Sequence, residues 1–292
     1  MFTFISLGTN GRLGNQLFQI ASTIGFAKHF GHSEVAFSPW PYSEYFHCEG
    51  LRFEQNLYFT NSLILYERSV DWFSCLFEDF SFLEAASKSI QMDISGLYQC
   101  HKYFSFFELE IRDHVFRFKE SFKATVYQKL PISPETCAIH VRRTDYLNCS
   151  ETFYALPLRY YVLGMQKIIN ETGCQNFMVF SDDIEWCRQQ EIFSECQFSE
   201  GLSDIEDLCA MAECDYHIIA NSSFSWWGSY LAKSKRVIAP PIWVYYPYVP
   251  RERIMKSLFH GRPEVHVLEE HLDEIEAYSL MSWLPTEALL SL

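Results

Sequence analysis

The sequence predicts an α/β protein of two domains, and three observations carry this prediction. The chain has 292 residues, more than one small hydrophobic core accommodates. Apolar residues make up 48% of it and aromatic residues 17%, which is ample for packed cores. From about residue 131, strand-like and helix-like segments alternate, a pattern typical of a parallel sheet with crossover helices. We therefore expect an N-terminal α/β domain over 1–130 and a Rossmann-like domain over 131–292.

The first half of the chain contains five elements that apolar runs and helical periodicity predict. In chain order they are a strand over 2–7, a helix over 16–30, a strand over 34–38, a strand over 90–98 and a helix over 103–115. Between them, residues 40–90 are rich in aromatic side chains and show no clear order of elements. This half is therefore predicted in outline only.

The second half is more regular. Pro131 and Pro134 mark a linker. The elements that follow are strands over 136–142, 176–180, 216–220 and 236–239, and helices over 157–170, 184–190, 203–213 and 224–233. Apolar positions at helical spacing predict a final helix over 267–282.

Charge and hydropathy exclude several classes of protein. With 23 Lys and Arg against 37 Asp and Glu, the formal net charge is −14, which argues against a nucleic-acid binder. No apolar run reaches the roughly 18 residues of a membrane span. The segment Met1–Leu7 lacks the basic start of a signal peptide. We expect a cytoplasmic protein with no transmembrane segment, and peripheral membrane contact stays open.

The 10 cysteines are scattered, without a Cys-x-x-Cys pair or a Cys/His cluster at zinc-site spacing. A structural metal is therefore not expected. Several cysteines lie in apolar runs, where a reduced thiol is a small core residue, and this fits a cytosolic location.

Two adjacent arginines, Arg142 and Arg143, follow the predicted strand 136–142 in an otherwise acidic chain. Such a pair needs an anionic partner, and the planar guanidinium fork suits phosphate. Ligands of open α/β sheets bind at the carboxyl ends of strands, which is where this pair lies. The alternative is a structural pair bound to carboxylates, and these residues alone support both interpretations equally.

Two further polar segments follow strands of the same predicted sheet. Asp182 and Asp183 come after the strand 176–180. The serine-rich segment 222–225 comes after the strand 216–220. Either segment could simply cap the next helix, and the two carboxylates lack a third ligand for a metal. Because carboxyl ends of parallel strands share one edge, both segments should converge with the arginines. Arginines beside a hydroxyl-lined helix N-terminus suit a diphosphate, as in a nucleotide sugar, without a metal.

A glycine turn, Gly11-Arg-Leu-Gly-Asn-Gln16, lies between the first strand and the first helix. Gly14 and Asn15 at a helix N-terminus allow close approach of an anionic ligand. The segment is neither a dinucleotide fingerprint nor a P-loop, and a plain tight turn is the more favoured interpretation.

Three blocks resemble those of glycosyltransferase family 11, the α-1,2-fucosyltransferases, in the same order. They are Gly11-Arg-Leu-Gly-Asn-Gln-Leu-Phe-Gln19, His140-Val-Arg-Arg-Thr-Asp-Tyr146 and Asn221-Ser-Ser-Phe-Ser-Trp-Trp-Gly228. Residues 180–187 and 203–207 also look like this family, and the resemblance is closest to its bacterial members. It implies a GT-B-like architecture of two facing Rossmann-type domains, with the acceptor on the N-terminal side and GDP-fucose bound in the C-terminal half.

The resemblance also implies roles for individual residues. Arg142 or Arg143 would hold the β-phosphate, His140 would lie on the nucleoside side, and Asp207 would bind guanine. Asp145 closely follows the arginines in sequence and is ranked above Glu151 as the base that deprotonates the acceptor hydroxyl; the alternative is that its side chain orients the arginines. The expected catalytic residues are Arg142, Arg143 and Asp145, and the expected donor-binding residues are Gly14, Asn15, His140, Asp182, Asp207, Ser222, Ser223 and Ser225.

The activity that the resemblance implies is an inverting, metal-independent transfer of L-fucose from GDP-β-L-fucose to O2 of a terminal β-galactoside, in glycan or surface polysaccharide synthesis. No cofactor is expected beyond the co-substrate GDP-fucose. Two alternatives stay open: a fucosyltransferase with another acceptor or linkage, and a non-catalytic relative that binds nucleotide sugars.

Overall fold

The computed structural model describes residues 1–55, 57, 63–66, 92–133, 135–148, 153, 155–244, 250–269 and 273. The chain forms two compact units. Unit 1 comprises Met1–Thr125 and Glu252–Gly261, and unit 2 comprises Val126–Arg251 and Arg262–Leu292. The division expected after residue 130 thus falls after Thr125, and the segment 252–261 packs with unit 1. Periodicity along a sequence cannot reveal such a return of the chain.

Unit 1 contains a five-stranded parallel sheet in the order β3-β2-β1-β5-β4. Its strands are β1 Phe2–Phe4, β2 Val35–Phe37, β3 Arg52–Phe53, β4 Leu63–Tyr66 and β5 Met92–Ser95. The strands predicted over 2–7, 34–38 and 90–98 are found, each shorter than expected. β3 and β4 lie in or beside the aromatic stretch that showed no readable pattern.

The first helix, α1, spans Leu13–His29 and is buried along most of its length. It begins before the predicted Gln16, directly after Gly11 in a left-handed conformation (φ 82°) and Arg12 in an extended one. At Gly25 this helix packs tightly against the rest of unit 1, because an added Cβ would lie 2.0 Å from the carbonyl oxygen of Tyr103.

The helix predicted over 103–115 is a series of short helical pieces. They are 3-10 turns at His101–Tyr103 and Ser105–Phe107, a turn α2 at Glu108–Glu110 and a π-helix at Ile111–Val115. Tyr103 and Phe104 are consecutive and both fully buried. A 3-10 turn, Pro41–Glu44, and a helix, α3 (Glu120–Lys129), complete the N-terminal part.

The segment 252–261 holds most of helix α8, Arg251–Leu258, which the sequence analysis did not predict. Two buried groups of unit 1 bind its carbonyl oxygens. The Cys100 thiol donates to Ser257 O at 3.4 Å, and His101 Nδ1 lies 2.6 Å from His260 O.

Unit 2 contains a six-stranded parallel sheet in the order β11-β10-β9-β6-β7-β8. Its strands are β6 Thr136–Val141, β7 Asn176–Ser181, β8 Gln197–Phe198, β9 Tyr216–Ile218, β10 Arg236–Ala239 and β11 Val265–Val267. Its helices are α4 Leu158–Thr172, α5 Ile184–Arg188, α6 Asp204–Met211 and α7 Ser223–Leu231, with 3-10 turns at Tyr146–Asn148 and Glu191–Phe193. The first strand lies in the centre and later strands add outward on both sides, which is the Rossmann order.

All four strands predicted in this half are found, and β8 and β11 are additional. β11 occupies 265–267, so the predicted final helix cannot begin at Val267. Apart from residues 267–269 and 273, that helix lies outside the described residues.

Strand β6 is buried on both faces, as a central parallel strand must be. Helix α4 covers one face and fixes the strand ends through two tyrosines. The Tyr160 hydroxyl donates to Ile219 O at 2.6 Å, and the Tyr161 hydroxyl donates to His140 O at 3.3 Å. The backbone at His140, just before the arginine pair, is therefore held by a buried hydrogen bond.

Candidate functional site

The carboxyl ends of β6, β7 and β9 bring three predicted segments together in unit 2. β7 and β9 flank β6 in the sheet. Val141 pairs with Ser181 and Ile139 with Ile218, so continuing both registers puts Arg142 level with Asp182 on one side and Asn221 on the other. The order of strands reverses between β6 and β9, the position at which open α/β sheets bind ligands.

Asp182 is the centre of the hydrogen bonds at this edge. Its Oδ1 accepts from the backbone N–H of Arg143 at 2.9 Å, and its Oδ2 accepts from the Thr144 hydroxyl. Oδ2 also lies 3.1 Å from Nη1 of Arg142. Both oxygens of Asp182 are thus engaged by the turn that follows β6, so this carboxylate fixes the position of the turn.

Arg142 is committed to carboxylates through both terminal nitrogens. Nη2 donates to Asp145 Oδ2 at 2.6 Å, while Nη1 contacts Asp182. Its guanidinium also lies 5.7 Å from the ring of Tyr146, and its side chain is only 14% exposed. This is the carboxylate-bound pairing that the structural interpretation of the two arginines predicts.

Arg143 is held differently. Its Nε donates to Asp183 Oδ2 at 3.2 Å, and its guanidinium lies 4.2 Å from the centre of the Trp186 ring. Its two terminal nitrogens make no hydrogen bond or ion pair within the described parts of the chain. The side chain is 25% exposed, so this fork is available to a ligand.

His140 lies in β6 directly below the arginines and is buried. Burial, and then the nearby charge of Arg142, lower the pKa of His140 to about 3, so the ring is neutral near pH 7. Its Nδ1 has no hydrogen-bond partner among the residues that the structure describes. The ring lies 5.5 Å from that of Phe224 in α7. A buried, neutral and unpartnered imidazole nitrogen can bind an uncharged polar group.

The N-terminus of α7 carries the three predicted serines in different settings. Ser222 is the N-cap, and its hydroxyl accepts from the N–H of Phe224 at 3.3 Å, as the capping interpretation predicts. Ser223 is half-buried at the first helical position. Ser225 is fully buried, and its hydroxyl donates to Ala220 O and Ser222 O, each at 3.4 Å. Its expected contact with phosphate therefore does not fit this geometry, because the side chain faces the protein interior.

The turn after β6 is joined to the turn after β9 by one hydrogen bond. The hydroxyl of Tyr146 donates to the carbonyl oxygen of Asn221 at 2.7 Å. Two of the blocks that suggested the family are therefore in direct contact within unit 2.

Asp207 lies in α6, beside the end of β8. Its Oδ1 accepts a hydrogen bond from the buried hydroxyl of Ser199, which follows β8 directly. Burial raises the pKa of Asp207 to about 6. The capping box of α6 is made by Ser203 and Glu206, so Asp207 is not needed as a cap. A carboxylate kept at a cost, without a role in its own helix, is a candidate for ligand binding.

Gly14 and Asn15 belong to unit 1, where they open α1. Gly14 is buried, and Asn15 Oδ1 accepts from Gln99 Nε2 at 2.7 Å. The glycine turn before them is held by glutamines of the same helix: Gln16 Nε2 donates to Gly11 O, and Gln19 Nε2 donates to Asn10 O, each at 3.1 Å. The glutamines of this block therefore build the turn. The predicted contact of Gly14 and Asn15 with a donor stays a prediction.

Asp183 and Trp186 also lie at this edge, and neither was predicted as a site residue. The signals that could have indicated Trp186 are its place in the family-like block 180–187 and its position three residues after Asp183, at the start of a helix. The alternative base, Glu151, lies outside the described residues. Among the residues described, no group of three metal-ligating side chains occurs, and no helix is long and apolar enough to cross a membrane.

Comparisons with known proteins agree on the family. The family model described as glycosyl transferase family 11 matches residues 2–257. An α-1,2-colitosyltransferase of Escherichia coli is 28% identical over 274 residues, covering 80% of this chain and 90% of that protein. The O-antigen biosynthesis glycosyltransferase WbnK of E. coli is 33% identical over 133 residues, covering 40% of this chain and 42% of WbnK.

Among solved structures, that of POFUT1 in complex with GDP matches with a TM-score of 0.51 at 12% identity, covering 80% of this chain and 94% of POFUT1. At this identity the likeness concerns the fold alone. With the two parallel sheets, it confirms the expected α/β, GT-B-like class. The E. coli relatives likewise confirm the expected bacterial type. The chain is therefore a glycosyltransferase and belongs to glycosyl transferase family 11.

Proposed function

We propose that this protein transfers L-fucose from GDP-β-L-fucose to O2 of a terminal β-galactoside, with inversion and without a metal ion. The observation that carries this proposal is the convergence of Arg142, Arg143 and His140 with the N-terminus of α7 at the switch point of one sheet. Cationic forks and a helix N-terminus bind phosphates, while a buried neutral imidazole suits the uncharged part of a nucleotide.

The arginines would act on the leaving group. As the bond between the sugar C1 and the phosphate oxygen breaks, negative charge grows on the β-phosphate of GDP. A guanidinium placed there stabilises the transition state more than the bound donor, which is the condition for catalysis. Arg143 is the better placed of the two, because its terminal nitrogens can bind phosphate without releasing a carboxylate.

Asp207 would bind the guanine base through the Watson–Crick N–H donors. Its Oδ1 is already bonded to Ser199, and the ionised carboxylate has further lone pairs for a base. The raised pKa of Asp207 supports this proposal, since a group with two N–H donors would stabilise the ionised form on binding.

Asp145 is the proposed base, with Glu151 as the alternative. The ion pair between Asp145 and Arg142 supports a second role as well, because a carboxylate bonded to a guanidinium holds that group in position. Metal-free chemistry is supported by the engagement of Asp182 and Asp183, the adjacent carboxylates of this edge, with arginines. A cytoplasmic location is supported by the eight described cysteines, all of which are free thiols.

A second candidate function is transfer of a colitosyl group in the same linkage. It is favoured by the relative named α-1,2-colitosyltransferase, whose similarity extends over 80% of this chain. The two candidates differ in the donor sugar and not in the family.

The test is incubation of the purified protein with donors that differ in sugar and base, and with a panel of β-galactosides. We expect a fucosylated product whose linkage analysis shows substitution at O2, formed at the same rate in the presence of a metal chelator. Transfer from a colitosyl donor with none from GDP-fucose would favour the second candidate. Absence of both transfer and donor hydrolysis would contradict the proposal and favour a binding protein.

A further inference from the structure

We propose that Asp183 and Trp186 are positioning residues that hold the guanidinium of Arg143 in one orientation and present its terminal nitrogens to the diphosphate of the donor. This inference rests on the proposed function for the identity of the ligand. Asp183 and Trp186 would act through Arg143, without contacting the reacting atoms themselves.

The guanidinium of Arg143 is fixed by two contacts of different direction. Asp183 Oδ2 accepts from Nε at 3.2 Å, in the plane of the group, and the Trp186 ring lies 4.2 Å from its central carbon. An arginine carries five N–H donors, and this arrangement uses the one on Nε. The four on the terminal nitrogens are left for a ligand. Arg142 has a smaller reserve, because each of its terminal nitrogens already contacts a carboxylate, that of Asp145 or that of Asp182.

The two positioning residues are themselves held by the start of helix α5. Oδ1 of Asp183 accepts from the backbone N–H of Trp186 at 3.4 Å and caps the helix. The backbone N–H of Asp183 donates to Ser181 Oγ at 2.9 Å, which fixes the turn after β7. Trp186 packs against the hydrophobic core of unit 2. The Asp183 carboxylate therefore has two roles. It caps α5, the helix that carries Trp186, and it binds Arg143, whose guanidinium lies against the Trp186 ring.

Such an arrangement lowers the cost of binding. A long arginine side chain loses rotamer freedom when it binds phosphate, and here much of that freedom is already lost before the ligand arrives. Ordering one long side chain on binding lowers affinity by about 2- to 12-fold, and the contact with the ring removes part of this cost beforehand. Removing the ring should therefore weaken diphosphate binding although the cation itself is retained.

The test measures GDP affinity by calorimetry and transfer kinetics in matched variants. Trp186→Phe keeps an aromatic face and should bind GDP within about 3-fold of the unaltered protein. Trp186→Ala should bind about 10-fold more weakly and turn over more slowly. Arg188→Ala is the control, because Arg188 lies over Phe198 and pairs with Glu200 in the same unit without belonging to this edge. It should leave both quantities unchanged.

Asp183→Asn separates orientation from simple charge. Asparagine caps helices as well as aspartate does, so α5 is retained, but Nε of Arg143 loses its anionic acceptor. If only net charge mattered, removing a carboxylate would tighten GDP binding, as it should slightly in the charge-matched control Glu185→Gln. We expect the opposite for Asp183→Asn, a loss of about 10-fold. On GDP addition, the fluorescence change of the unaltered protein should exceed that of Trp186→Phe.

The outcomes separate this inference from the proposed function. Unchanged GDP affinity in Trp186→Ala and Asp183→Asn, or tighter binding in the latter, would overturn the positioning role while sugar transfer by the unaltered protein stands. Weakened GDP binding in both variants, with no transfer from any donor, would support the positioning role and sink the proposed reaction. Failure of the unaltered protein to bind GDP would overturn both.

Discussion

Replacing Asp207 by Asn should make the protein more stable and less able to bind GDP. Burial raises the pKa of Asp207 from its ordinary 3.8 to about 6. Folding therefore favours the protonated acid, and the unfolded chain releases its proton first as the pH rises. The stability contributed by the protonated form is complete below pH 3.8 and is lost as the pH rises through about 6.

The size of the effect follows from that rise. A change from 3.8 to about 6 corresponds to about 3 kcal/mol at neutral pH, and partial exposure of the side chain reduces the expected gain of Asp207→Asn to about 2 kcal/mol. The amide oxygen can still accept the hydrogen bond from Ser199. At pH 4.5 the folded chain carries Asp207 protonated, so much of the cost of burying its charge is gone, and the gain should fall to about a third of its neutral value.

Urea unfolding followed by tryptophan fluorescence measures this difference, since Trp226 and Trp227 are buried in unit 2. The unfolding free energies of the two proteins are compared at pH 7.5 and at pH 4.5, and GDP affinity at pH 7.5. A variant less stable than the unaltered protein at pH 7.5 would refute the conclusion that burying the ionised Asp207 carboxylate destabilises the fold. We expect GDP affinity to fall about 100-fold, because the amide opposes N–H donors with its own. Unchanged affinity would refute the contact with guanine.

Three further predictions concern single substitutions. Arg142→Ala and Arg143→Ala should each lower turnover by about 100-fold, because each removes a donor that stabilises the charge on the leaving group. Substitution by lysine should restore neither rate, because lysine lacks the planar guanidinium fork. Near-normal rates in both alanine variants would contradict the phosphate role. Asp145→Asn should lower the rate with unchanged GDP affinity if Asp145 is the base, whereas weaker GDP binding would show that it serves to orient Arg142. Gly25→Ala should destabilise unit 1 by about 3 kcal/mol or more, because the added Cβ would lie 2.0 Å from the Tyr103 carbonyl oxygen. Thermal unfolding measures this effect, and an unchanged melting temperature would contradict the close packing.

The alternation of strands and helices made unit 2 predictable. Its central strands are continuous apolar runs, each followed by a polar segment, so the convergence of Arg142, Asp182 and Ser222 on one edge followed from the shared direction of parallel strands. The same logic could not assign partners within the edge. Asp182 can either bind a ligand or pair with Arg142. Which of the two occurs depends on the register of β7 against β6, because a slip of one residue turns a side chain to the other face of the sheet.

Unit 1 was less predictable for physical reasons. β3 spans only two residues, too few for periodicity to reveal, and the strands predicted at β1 and β2 were three and two residues too long. The helix predicted over 103–115 is instead a series of 3-10, α and π pieces, which apolar spacing alone does not distinguish from a regular helix. Ser225 shows the limit of motif reasoning in unit 2, because a hydroxyl two residues into a helix can face the interior and bond to its own backbone.

The discontinuous make-up of unit 1 bears on how this protein is made in the cell. The partners of Cys100 and His101 lie 157 and 159 residues further along the chain. During synthesis, the hydrogen bonds of Cys100 and His101 can therefore form only after nearly the whole of unit 2 has left the ribosome. The N-terminal unit cannot complete its folding first, although it is translated first. A chain that stops short of residue 252 would leave it unfinished and exposed to chaperones and proteases.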